Sequence, residues 1–159
     1  MRLLCIPALV LVLVFCGDAA TQSVAPGKAP VARRDSANPL AVYTAQLRAD
    51  DARSTSRAWG FVQLKVRTGG VIEWTLRVHN PEGESFSGGH VFVVRKRDGT
   101  GAAALDLFGG RTFQSREFEL SGSARDSALA VALLANPGSY YVSLRTAAIP
   151  AGAIRGELP

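Results

Sequence analysis

The chain has 159 residues, 47% of them hydrophobic and 19% charged, and its 18 basic against 13 acidic side chains give a net charge of +5. This length suits one domain that is large enough to bury a core without disulfides or metals. The high apolar content and the lack of a strict short repeat exclude a collagenous, coiled-coil or wholly disordered chain.

The N-terminal end has the pattern of an export signal. One basic residue, Arg2, precedes an apolar run that is shorter than the roughly 20 residues of a membrane-spanning helix. Small residues follow the run, so we predict a signal peptide over 1–19 with cleavage after Ala19. A retained N-terminal helix and lipoprotein processing with a lipid anchor at Cys16 are the alternatives. The protein is therefore expected to be secreted, periplasmic or attached to the cell surface.

Both cysteines, Cys5 and Cys16, lie within this predicted signal peptide. The mature chain is thus expected to have no disulfide, no thiolate nucleophile and no thiolate metal ligand. Residues 20–38 are rich in alanine, proline and serine and show no apolar periodicity, which predicts a flexible linker. The remaining residues, 39–159, are predicted to form the domain.

Beyond the linker, short segments of alternating polarity predict strands. The clearest one covers 71–78, and a turn at 68–70 joins it to the preceding segment as a hairpin. That preceding segment, 58–66, begins apolar on both faces, so Trp59 and Phe61 are expected to be buried. Further strands are predicted at 40–47, 90–96, 103–108, 112–120, 140–145 and 153–158. The pattern is typical of a mainly β protein, an antiparallel Greek-key-type β-sandwich of about eight or nine short strands.

One segment favours a helix instead of a strand. Alanine and leucine dominate residues 126–135, and Ser123 followed by Asp126 resembles a helix-capping start. The Asn-Pro-Gly sequence at 136–138 predicts a sharp stop. We therefore predict one short helix near 125–135 that crosses an end of the sandwich.

Candidate catalytic and metal-binding residues are few. The two histidines, His79 and His90, are too few for a three-histidine metal centre, although Asp106 offers a carboxylate. The chain contains no Gly-x-Ser-x-Gly, no Ser-x-x-Lys and no phosphate-binding glycine motif. We expect no catalytic residue, no metal and no cofactor. An exported metal-binding protein or enzyme that uses His90 with Asp106, with or without His79, is the alternative.

The positive charge is scattered and comes mainly from arginine, which supplies 15 of the 18 basic residues. One basic run, 95–97, is too short for a nucleic-acid surface, so no nucleic-acid partner is expected. Several aromatic residues fall in strand patterns typical of a core: Trp59, Trp74, Tyr140 and Tyr141. A basic exported domain suits an acidic polysaccharide, lipid head groups or an acidic extracellular protein, but the charge also suits a role in solubility alone.

The C-terminal stretch, 133–158, resembles the end of a CHRD (chordin-type) domain. It contains a leucine-rich segment, Asn-Pro-Gly, a Tyr-Val strand, a Thr-Ala turn and a closing Ile-Arg-Gly-Glu-Leu strand with Arg155 and Gly156. Three upstream elements resemble the same family, at 73–78, around His90 at 89–92, and at 106–108 beginning with Asp106. The resemblance covers about residues 40–158.

At two positions the chain departs from the pattern of the family it resembles. Phe92 stands where the family has the second histidine of a His-x-His element, and Arg145 stands where it often has a histidine near the end of the Tyr-Val strand. Only His90 remains of that set, which argues against an inherited metal site. The resemblance implies a secreted β-sandwich that acts as a non-enzymatic binding or scaffold module of undefined ligand. Growth-factor binding, as in chordin, is a further possibility that rests on analogy.

Overall fold

A computed structural model describes residues 38–49, 54–94 and 101–159 of the chain. The predicted signal peptide, almost all of the predicted linker, the lipid-anchor alternative at Cys16 and the basic run at 95–97 lie outside these residues. Within the described residues the protein is mainly β, with eight strands and one α-helix. The predicted β-sandwich is therefore confirmed.

The strands form two antiparallel four-stranded sheets. In order across the first sheet they are β1 (Ala41–Leu47), β2 (Trp59–Arg67), β3 (Val71–His79) and β6 (Glu117–Arg125). Across the second sheet they are β5 (Ala103–Phe113), β4 (Phe86–Val93), β7 (Tyr140–Thr146) and β8 (Ile154–Glu157). β6 pairs with β3 only after the chain has passed through β4 and β5 of the second sheet, and β7 pairs with β4 only after the chain has passed through β6 of the first sheet. Such connections are of the Greek-key type.

The core lies between the two sheets and follows from the alternation along the strands. On β2 and β3, every second side chain points inward, and the hairpin between them turns at Thr68–Gly70, where Gly69 and Gly70 have φ angles of 72°. The second sheet contributes almost the whole length of β7 to buried positions. Both sheets supply large, fully buried side chains, among them Leu64, Ile72, Leu76, Phe86, Val91, Val142, Leu144 and Ile154.

Backbone hydrogen bonds join the two sheets at one corner. The N–H of Arg48 donates to the carbonyl of Arg155 at 2.9 Å, and the N–H of Arg155 donates back at 2.8 Å. A Cβ atom at Gly156 would collide with the carbonyl oxygen of Gln46. Glycine at 156 therefore permits β1 and β8 to approach this closely.

The predicted helix is confirmed as α1 (Ser127–Ala135). Its N-cap is Asp126, whose Oδ1 accepts a hydrogen bond from the N–H of Leu129 at 2.9 Å, while Ser123 lies within β6. The helix ends at Asn136, before Pro137. Among the described residues, no helix has the length and apolar character required to cross a membrane.

Several predicted strand boundaries are wrong. β4 begins at Phe86, before the predicted start at 90, because that side chain enters the core. β5 continues through Gly109 and Gly110 to Phe113, and the next strand starts only at Glu117. The predicted strand at 112–120 therefore spans the real turn. The register with β4 shifts between the pairs Gly88–Gly109 and Phe86–Phe113, and glycine is common at such irregularities within a sheet.

Candidate functional site

The outer face of the first sheet carries two exposed aromatic side chains. Trp59 is 43% exposed and Phe61 is 42% exposed. Their rings stand perpendicular, at 86°, with centroids 5.8 Å apart. The expectation that both are buried is wrong, because β2 directs Gly60 and Val62 toward the core and leaves the alternate positions facing water.

Trp59 begins a row of polar contacts across the sheet. The register places Trp59 opposite His79, and His79 opposite Glu117. The indole and imidazole centroids are 5.2 Å apart, and His79 Nδ1 lies 3.3 Å from a carboxylate oxygen of Glu117. His79, the last residue of β3, thus lies between an aromatic ring and a carboxylate.

Phe61 lies in a second, parallel row. Its neighbours are Gln46 on β1 and Arg77 on β3, and Arg77 faces Glu119 on β6. The guanidinium binds Glu119 through Nε at 2.9 Å and Nη2 at 3.3 Å. Such an exposed pair adds at most about 1 kcal/mol to stability. It places a planar hydrogen-bond donor and a planar acceptor side by side, next to the aromatic rings.

Two open hollows meet at the aromatic pair. One, of about 620 Å³, contains the two polar rows, and its lining includes Trp59, Phe61, Arg77, His79, Glu117 and Glu119. The other, of about 640 Å³, lies toward β1 and is lined by Gln46, Arg48, Ala49, Arg57, Ala58, Trp59 and Phe61. We call Trp59 and Phe61, together with the polar side chains named in these two linings, the aromatic strip.

The segment before Trp59 is fixed by serine hydrogen bonds. Ser54 Oγ donates to the carbonyl of Ala153 at 2.6 Å, and Ser56 Oγ donates to Glu84 Oε1 at 2.6 Å. Ser56 Oγ also accepts from the N–H of Ala58 at 3.1 Å. The approach to the aromatic strip is thus attached to both the 80–85 loop and the C-terminal region, which holds the tryptophan in place.

The second sheet brings together His90 and Asp106. They are opposite one another on β4 and β5, with His90 Nε2 3.8 Å from Asp106 Oδ1. This separation exceeds a hydrogen bond. Burial lowers the pKa of His90 below 6.5, the nearby Arg145 guanidinium lowers it further, and the Asp106 carboxylate opposes both effects.

The three residues of the metal or enzyme alternative do not come together. His79 lies on the first sheet beside Trp59 and Glu117, whereas His90 and Asp106 lie on the second. Over the described ranges, no group of three His, Cys, Asp or Glu side chains is placed to hold a metal ion. Sequence reasoning did not recognise Trp59 and Phe61 as exposed residues. The signal for their exposure was that they alternate along β2 with the inward-facing positions.

Comparison with known protein families decides the family. The model of the CHRD domain matches residues 43–158. The chain belongs to the CHRD domain family. No curated protein and no solved structure matches it.

Most of the CHRD motif positions lie on the outer face of the second sheet, whereas Gly156 faces β1. Phe92 stacks on Tyr141 at 5.2 Å between centroids, and the Arg155 guanidinium lies 4.4 Å from the same tyrosine ring. Arg145 occupies the space beside Gly88, and a Cβ there would stand 2.7 Å from its Nε. Phe92 and Arg145, which stand where the resemblance places histidines, are both near His90 in this CHRD domain: the Phe92 ring centroid is 5.7 Å from that of His90, and the Arg145 guanidinium acts on the imidazole electrostatically.

We expect His90 to make this CHRD domain less stable in mild acid. Because the folded pKa lies below 6.5, the unfolded chain binds the proton first, and stability falls as the pH drops below about 6.5. The loss stops once the pH passes below the folded pKa. His90→Gln should remove this component, which urea unfolding at about pH 7.5 and about pH 5.5 measures.

Asp106→Asn provides the opposing variant for that measurement. Removing the carboxylate that raises the His90 pKa should increase the acid-dependent loss of stability. Protonation of other carboxyl groups also changes the free energy of unfolding, but this contribution cancels when each variant is compared with the wild type at both pH values. Parallel pH profiles for the wild type and His90→Gln would contradict the assignment.

Proposed function

We propose that this CHRD domain is a non-enzymatic binding or scaffold module of the cell exterior, with the aromatic strip as its binding surface. CHRD domains are typically extracellular, and the family suggests a binding role. The observation that carries the proposal is the exposure of Trp59 and Phe61, at 43% and 42%, between fixed polar groups. Exposed aromatic residues beside convergent polar side chains are typical of ligand-binding surfaces.

The proposal assigns no catalytic residue. His90 and Asp106 are 3.8 Å apart, and Ser143, which lies opposite His90 on β7, is buried. The metal or enzyme alternative has its own test: stoichiometric zinc or copper in the purified protein, lost in His90→Ala, would favour it over a purely binding role. Addition of these metals without a shift of the thermal midpoint would count against that alternative.

Export is also part of the proposal. The predicted signal peptide over 1–19 ends at Ala19, and a lipid anchor at Cys16 is the competing form. Mass spectrometry of the protein produced in its native host would distinguish them. A mature chain beginning at residue 20 supports signal-peptide cleavage, a lipid-modified Cys16 supports the lipoprotein form, and an intact N-terminus contradicts export by either route.

Capture from the native extracellular fraction tests the binding role. We expect the immobilised wild-type protein to retain material that the double variant Trp59→Ala/Phe61→Ala does not retain. Val131→Ala is a suitable control, because Val131 is an exposed apolar residue on α1, away from the strip. Equal retention by wild type and double variant would reject the strip as the binding surface.

A further inference from the structure

We propose that the aromatic strip binds an acidic polysaccharide, a chain of sugar rings that carry carboxylate or sulfate groups. This inference rests on the proposed function and names the ligand class for the same surface. It follows from three features of the strip: the arrangement of its rings, the planar polar groups beside them and the distribution of its charges.

The two aromatic rings are placed to hold a sugar ring. A pyranose presents a face of C–H bonds that packs on an aromatic surface, with hydroxyl groups around its rim. Trp59 and Phe61 are two residues apart on one face of a strand, about 6.8 Å along it, which is on the scale of one sugar unit. Their perpendicular rings, at 86°, form a corner that contacts a ring on two sides.

Planar polar side chains stand where the hydroxyl rim of such a sugar would lie. On one side of the rings are the paired Arg77 and Glu119, held through two contacts at 2.9 and 3.3 Å. Next to them are His79 and Glu117, at 3.3 Å. Guanidinium and carboxylate groups offer two parallel donors or acceptors, which match neighbouring hydroxyl groups.

The charge distribution favours an acidic sugar over a neutral one. Among the described residues that line the hollow toward β1, Arg48 and Arg57 are cationic and none is acidic. Arg57 Nε also lies 3.3 Å from Glu82, in an exposed pair that water and ligands readily replace. The other hollow has one guanidinium, that of Arg77, and the two carboxylates of Glu117 and Glu119. An anionic group is therefore expected on the Arg48 and Arg57 side.

A folded protein partner fits the strip less well. A stable protein interface covers about 800 Å² on each partner and has a largely apolar centre. Here the two aromatic residues are bordered within their own cross-strand rows by His79, Arg77 and Gln46. A narrow apolar contact with polar groups directly beside it suits a single extended sugar chain.

Affinity electrophoresis and calorimetry with defined polysaccharides test the inference. The probes are polygalacturonate, its fully methyl-esterified form as a neutral counterpart, and dextran sulfate to separate carboxylate from sulfate recognition. The full chain, purified in its exported form, should bind at least one acidic probe, and added salt should weaken that binding. Trp59→Ala should weaken it about tenfold or more, as loss of a central aromatic contact does.

The charge component has its own variant and control. Arg48→Gln/Arg57→Gln should weaken binding of the acidic probe about tenfold and make that binding less sensitive to added salt. Val42→Ala is the matched control, because Val42 is an exposed apolar side chain on the same outer face but in the row of Lys65 and Glu73. It should bind as the wild type does.

The failures of the two proposals are distinguishable. If no acidic probe binds, or if Trp59→Ala binds it as the wild type does, the polysaccharide inference is wrong. Retention of a protein from the extracellular fraction that depends on Trp59, without polysaccharide binding, would overturn the inference and leave the proposed function standing. Absence of both forms of Trp59-dependent binding would reject both.

Discussion

Phe86→Ala is expected to lower the free energy of unfolding by about 3–5 kcal/mol. Phe86 is 0% exposed and is the first residue of β4 in the second sheet. Its ring lies 5.8 Å from that of Phe118, which belongs to β6 in the first sheet. The substitution removes an aromatic contact between the sheets and leaves a cavity that the rigid strands fill only in part. For a domain with ordinary stability of about 5–15 kcal/mol, this is a large fraction.

Urea denaturation followed by circular dichroism measures the effect, with Phe61→Ala as the matched control. Phe61 undergoes the same chemical change but is 42% exposed, so its loss should cost about 1 kcal/mol or less. Equal destabilisation by the two substitutions would contradict the placement of Phe86 between the sheets and of Phe61 on the outer face.

Phe86 and Trp59 also show how much of this fold the alternation of apolar and polar residues along the sequence can predict. Alternation identified most strands and the inward positions of β2 and β3, because each strand in a sandwich faces the core on one side. It did not reveal that the opposite side of β2 is uncovered. Whether an apolar outer position is buried depends on which distant element packs on it, and no local pattern contains that information.

Glycine misled the sequence reasoning for a related reason. The predicted strands at 103–108 and 112–120 leave a break at Gly109 and Gly110, yet β5 passes through both glycines, with Gly110 at a φ of 68°. Gly109 leaves room beside Asp106, where a Cβ would stand 2.5 Å from Oδ2. The turn instead falls at 114–116, in a segment without glycine or proline. A glycine permits both a turn and a bent strand, so the sheet register decides between them.

The candidate site was predictable only in part. His90 and Asp106 were recognised as a candidate pair, and the register places them opposite each other. His79 was grouped with them because it is near His90 in sequence, but the loop after His79 carries the chain from the first sheet to the second. Two histidines that are eleven positions apart in the sequence are thus in different sheets. The aromatic strip depends on four different strands, so its assembly required the pairing order.

Asn80→Ala is expected to lower the free energy of unfolding by about 2–4 kcal/mol, since it removes three hydrogen bonds and leaves their partners unsatisfied. Asn80 is 0% exposed. Its Nδ2 donates to the carbonyls of Glu84 and Ser115 at 2.9 and 3.2 Å, and its Oδ1 accepts from the N–H of Glu84 at 2.9 Å. The side chain therefore holds the loop between β3 and β4 against the turn before β6. Chemical denaturation measures the loss.

The same substitution should loosen the approach to the aromatic strip. Glu84 is fixed by Asn80 and in turn accepts a hydrogen bond from Ser56, three residues before Trp59. Hydrogen exchange should therefore accelerate at the amides of Glu84, Ser56 and Ala58, and to a lesser degree in the distant helix α1. Ser115→Ala is the control, because Asn80 binds the backbone carbonyl of that residue and not its hydroxyl. If Asn80→Ala leaves these amides as protected as in the wild type, the loop does not support the strip.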